Sequence, residues 1–162
     1  MSETCCDKTQ VEETTTSVPG QEAICPTNQQ LGKKIDAVTL KALLALPLNE
    51  LRPIDYRFCR ASNCPTVYYS VDGTQVFQET DLREKVYQKH PQDDDILVCY
   101  CFQYTIKDVK LEVERTGNNI IVEQINRGVQ AGLCACDIRN PQGSCCLGNI
   151  LQIVRSMKNK KE

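Results

Sequence analysis

The sequence holds one histidine, His90, and no GxGxxG fingerprint, phosphate-binding glycine loop or paired nucleophile and base, so no enzymatic activity of its own is expected. No apolar run approaches the ~20 residues of a membrane span, and Met1 to Gly20 has no charged start followed by an apolar stretch. A cytoplasmic setting without membrane insertion is therefore expected. The formal net charge is −2 and basic residues form no patch beyond the Lys158–Lys161 tail, which excludes the electrostatic footprint of a nucleic-acid binder. No repeat unit is visible, and no CxxC pair occurs anywhere.

Against these absences stand eleven cysteines in 162 residues, far more than an intracellular chain of this size needs for packing. The count is odd. Several are adjacent (Cys5-Cys6, Cys145-Cys146) or in CxC pairs (Cys99 and Cys101, Cys134 and Cys136), which suits shared metal ions better than mutual disulfides.

The chain divides by composition into three parts. Residues 1–22 are rich in Thr, Glu, Ser and Gln and read as a flexible tail. Residues 23–92 read as a small α+β module. Within it Thr39–Leu46 has helical spacing with Thr39 as N-cap, and Thr66–Val71 and Thr74–Phe77 form a hairpin about a two-residue Asp72-Gly73 turn. The polar run His90–Asp95 reads as a linker. Residues 93–162 then turn helical. Ile106, Val109 and Val113 share a face behind the cap Thr105 and end at Gly117-Asn118. Ile121, Val122, Ile125 and Val129 form a second stripe that ends at Gly132, and Ile150, Ile153, Val154 and Met157 form a third.

Six cysteines lie in the helical half. A [2Fe–2S] cluster takes four thiolates, two on each iron, and a helical pair between Cys99/Cys101 and the later cysteines would return the two groups to one locus. Cys145 and Cys146 also stand at the start of the last helix, whose free N–H groups favour thiolate. Zinc is the rival, but its pairs are usually separated by two to four residues, so the spacing leans toward iron. Spacing does not choose the four: Cys134 and Cys145 each neighbour a candidate. In the first half, Cys59 and Cys64 flank four residues between two expected strands, half of a zinc knuckle.

Cys99-Tyr-Cys-Phe-Gln-Tyr-Thr, followed by Cys136-Asp-Ile-Arg-Asn-Pro-Gln-Gly-Ser-Cys-Cys, resembles the amino-terminal redox domain of CopZ-type copper chaperones. Its [2Fe–2S] half is in turn similar to bacterioferritin-associated ferredoxins. The resemblance spans roughly Cys25 to Met157. It implies an α+β fold, a zinc-knuckle module followed by a helical [2Fe–2S]-binding module, with Cys99, Cys101, Cys136 and Cys146 on the cluster. It also implies zinc at Cys25, Cys59 and Cys64. The family's Cys-Pro-x-Cys reads Cys25-Pro26-Thr27-Asn28 here, so Asn28 stands where a fourth cysteine would be, and Cys5-Cys6 could reach in. A neutral amide oxygen is a poor zinc ligand. The zinc would be mainly structural, supplying folding free energy to a small core.

The expected function is one-electron transfer with a protein redox partner. The alternatives are a metallochaperone or iron–sulfur/copper carrier with a metal-handling partner, and a zinc-only module that binds a protein. The missing CxxC means that copper delivery does not follow from the fold.

Overall fold

The computed structural model describes residues 23–117 and 120–161. The tail, with Cys5 and Cys6, and the expected cap residue Asn118 lie outside the described residues. The chain is a mixed α and β protein, as expected. Its first half is a four-stranded antiparallel sheet in chain order: β1 (Lys33–Ile35), β2 (Tyr56–Phe58), β3 (Thr66–Ser70) and β4 (Val76–Gln78). The register sets Lys33 opposite Phe58, Tyr56 opposite Ser70 and Thr66 opposite Gln78. β3 is buried along its whole length, so both its faces are covered. Val67 and Tyr68 join a core with Leu40, Leu44 and Val86, while Tyr69 packs with Cys25, Cys59 and Cys64.

Two local expectations need correction. The first helix, α1 (Ala37–Leu43), starts two residues before Thr39. Asp36 is its N-cap, and Thr39 is buried inside the helix with its hydroxyl unpartnered. The leucine spacing that marks the buried face also fits a helix whose cap lies nearly one turn earlier. The hairpin, in turn, closes through residues 71–75 rather than through a two-residue turn. The Asp72 carboxylate accepts hydrogen bonds from the Ser70 hydroxyl at 2.7 Å and the Thr74 N–H at 3.1 Å, while the Ser70 N–H reaches Gln75 O at 2.9 Å. An Asp that gathers neighbouring donors builds a wider loop than a minimal turn.

The stretch read as a linker is pinned at both ends. His90 Nε2 lies 2.7 Å from Glu79, and Lys110 Nζ donates to Asp94 at 2.6 Å. The second half begins with a short hairpin, β5 (Leu97–Cys99) and β6 (Tyr104–Thr105), and continues with α2 (Ile106–Thr116), α3 (Ile120–Gln130), α4 (Cys136–Arg139) and α5 (Leu147–Asn159). Thr105 caps α2 as expected: its hydroxyl accepts from the Asp108 N–H at 3.1 Å, and Asp108 accepts the Thr105 N–H in return at 2.8 Å. Such a cap contributes about 1 kcal/mol, whereas each Val or Ile buried in the seam among α2, α3 and α5 contributes about 1.5–3. Packing of Val98, Val109, Val113, Ile125, Ile150 and Val154 therefore outweighs capping. Val129, expected on the buried stripe, is 37% exposed at the end of α3.

Candidate metal centres

The first centre is assembled by two backbone segments. Cys25 opens a turn in which the Gln29 N–H bonds to Cys25 O, and Cys59 and Cys64 close the loop between β2 and β3. Their three sulfurs lie within 4.8 Å of one another and all three residues are buried. Two thiolates on one tetrahedral ion, with metal–sulfur bonds near 2.3 Å, stand about 3.8 Å apart. Cys25 Sγ and Cys64 Sγ are 3.9 Å apart. Burial pushes the Cys25 thiol up, but N–H donation from Asn28 and Thr27 and hydrogen bonds from Cys64 and Cys59 outweigh it and leave it below the ordinary value. Burial raises the Cys59 thiol. This trio fits a thiophilic metal ion.

Two further side chains face the trio. Asn28 Nδ2 donates to Cys59 Sγ at 3.4 Å, and its Oδ1 accepts from the Gln30 N–H at 3.0 Å. Lys89, thirty residues on from Cys59, hydrogen-bonds that thiol while its Nζ also holds Ala61 O at 2.7 Å. The position of Asn28 was visible in the sequence. Lys89 carried no signal there, because only the fold brings its turn beside the β2–β3 loop.

The second centre has a different shape. Cys99 ends β5, Cys101 lies in the hairpin loop, Cys136 starts α4 and Cys146 is the N-cap residue of α5. The structure joins them as two pairs: Cys101 Sγ to Cys136 Sγ at 3.6 Å, and Cys99 hydrogen-bonded to Cys146. The Cys101–Cys136 spacing suits two thiolates on one tetrahedral metal ion. Backbone N–H groups converge on the sulfurs. Phe102 and Cys101 donate to Cys99, Ala135 to Cys101 at 3.2 Å, and Cys146 to Cys136.

The hydrogen bond from Cys146, strengthened by these N–H donors, lowers the Cys99 thiol to about 7, while the same contact and burial drive Cys146 upward. The opposite shifts describe one proton shared by a close pair. Cys146 stands at the start of α5 as expected, and its side chain caps no helical N–H. Burial and the Cys101 contact push Cys136 up to about 12. Cys145 is exposed beside Cys136 and Cys146, and Cys134 is half-buried; the sulfur–sulfur hydrogen bonds join the other four.

The two halves brace each other through the loops that carry these thiols. The buried Tyr68 hydroxyl donates to Pro141 O at 2.5 Å, and Lys33 Nζ donates to Ser144 Oγ at 2.6 Å. Gly143 has φ of +69°, and a Cβ there would stand 2.7 Å from Ile35 Cδ1, so the loop needs glycine to lie against the first module. Tyr100, between the two CxC sulfurs, donates to Lys85 O at 2.6 Å and accepts the Tyr87 N–H at 3.0 Å.

A buried thiol trio behind a small sheet, joined to a helical unit that presents more thiols, defines a metal-binding α+β protein. Residues 22–83 match the family model of a zinc-binding domain, that of the CopZ type. The chain is also similar to the X-ray structure of the CopZ N-terminal domain of Archaeoglobus fulgidus. The TM-score is 0.68 at 26% identity over 80% of this chain and 96% of that one. No curated relative matches the sequence. The first half is therefore similar to a CopZ-type zinc-binding domain, and the fold is similar to that of the CopZ amino-terminal domain.

Proposed function

We propose that this protein handles metal, as a CopZ-like metallochaperone module in which zinc at Cys25, Cys59 and Cys64 stabilises the sheet and a [2Fe–2S] cluster sits on Cys99, Cys101, Cys136 and Cys146. The observation that carries the cluster reading is the arrangement of four thiols as two pairs, with Cys101 and Cys136 3.6 Å apart. When bound, such a cluster supplies one exchangeable electron. The chain contributes the thiolates, the N–H donors that favour their charged form, and a buried wall from Val98 and Ile150 that limits water. The comparisons speak for metal handling more directly than for free-standing electron transfer, so the electron is read as serving metal handling, with a metal-handling or redox protein as partner. No substrate chemistry is required, and a cytoplasmic setting, which keeps thiols reduced, belongs to this reading.

One observation favours the zinc-only alternative: among the described residues, Cys25, Cys59 and Cys64 are the set of thiols that closes around a single ion. Anaerobic purification with iron, sulfide and zinc analysis separates the two. Two irons and two sulfides per chain with an S = 1/2 signal after dithionite support the redox reading. A colourless protein with zinc alone, even after reconstitution, refutes it.

A further inference from the structure

Zinc in a structural site takes four ligands, and the described residues offer three thiols to the first centre. Asn28 occupies the position of a fourth, yet its geometry is that of a supporting donor. Its carbonyl oxygen is engaged by the Gln30 N–H at 3.0 Å, and its amide nitrogen points at Cys59 Sγ. Reversing the amide would set an NH2 group against that N–H, so the hydrogen bonding itself fixes the orientation. Three thiolates around a dication leave one net negative charge. Lys89 supplies the opposite charge from its place on Ala61 O. A neutral fourth ligand keeps that balance, and a fourth thiolate upsets it. Asn28 is half-buried on a turn whose neighbours Pro26, Thr27 and Gln29 are exposed, so this turn is the side of the buried trio that faces solvent.

We infer that the first centre is a three-thiolate zinc site whose fourth corner is held by water and exchanges with neutral external donors, with Asn28 and Lys89 as positioning residues on Cys59. The inference rests on the zinc reading of Cys25, Cys59 and Cys64. It departs from a closed structural site: an open corner makes the ion accessible to ligand exchange and quicker to leave.

X-ray absorption at the zinc edge of the full-length holoprotein reads the first shell without interference from iron. The expected shell is three sulfurs and one lighter atom, altered by added imidazole and unchanged in the Cys5→Ser/Cys6→Ser double variant. Asn28→Cys should convert it to four sulfurs and slow zinc transfer to a chelator by about tenfold or more. Lys89→Gln should speed that transfer, and Lys89→Arg should restore it. Four sulfurs in the unmodified protein, falling to three when Cys5 and Cys6 are replaced, overturn the inference and leave the zinc reading intact. A holoprotein without zinc overturns both.

Discussion

Replacing Tyr68 by phenylalanine removes a single hydroxyl from the seam between the two halves. That hydroxyl donates to Pro141 O at 2.5 Å, five residues beyond Cys136 and five before Cys146, and both Tyr68 and Pro141 are buried. The ring keeps its packing in the variant, so no cavity term enters. What remains is a buried carbonyl without its donor, a loss of about 1–3 kcal/mol. With a urea slope of about 2 kcal/mol/M, the unfolding midpoint should fall by roughly 0.5–1.5 M. Burial also holds the Tyr68 hydroxyl in its protonated, donating form throughout the working pH range. The second readout is local. Amide exchange across residues 136–146, including the Gly143 N–H bonded to Asn140 O, should quicken by about tenfold or more, since each 1.4 kcal/mol is a decade. A wild-type midpoint together with unchanged exchange in that segment would refute the view that the first module holds the thiol-bearing loop in place.

Other perturbations separate the roles of neighbouring residues. Gly128→Ala gains about 1 kcal/mol in helix propensity, but the added methyl would stand 2.7 Å from Cε1 of Phe102, and overpacking costs about 1–3. Its Tm should therefore fall; a rise would show that Phe102 yields freely. Cys101→Ser should abolish or reshape the visible absorption of the iron-loaded protein, while Cys134→Ser and Cys145→Ser should leave it essentially intact; the reverse pattern would reassign the ligands. The Ser70 hydroxyl, Arg52 and Thr74 hold the Asp72 carboxyl well below the usual range. Because the folded value is the depressed one, this stabilisation is present above about pH 4 and is lost as pH falls toward the folded value. Acid titration of the urea midpoint should be flatter in Asp72→Asn than in the parent, and parallel curves would refute the assignment.

Much of the fold was legible because it is local. The capping box at Thr105 and Asp108, the apolar stripes of α2 and α5, and the Cys59–Cys64 knuckle all depend on residues a few positions apart, where backbone geometry sets what can touch. The misreadings were also local, where one pattern served two structures. The leucines of α1 fit a start at either Asp36 or Thr39, and Asp72-Gly73 fits both a two-residue turn and the wider loop that the Asp72 carboxylate organises.

By itself the sequence determined that this is a thiol-rich chain of α+β pattern with two separate groups of candidate metal-ligating cysteines. The tertiary structure alone decided which sulfurs meet. Cys101 finds Cys136 across 35 residues, Cys25 finds Cys64 across 39, and Lys89 arrives beside Cys59. These meetings depend on how a sheet and a helical seam close over long stretches of chain. The cost of such closure changes only slowly with loop length, so sequence spacing barely distinguishes one cysteine from its neighbour. Burial and side-chain direction, which packing fixes, make that choice.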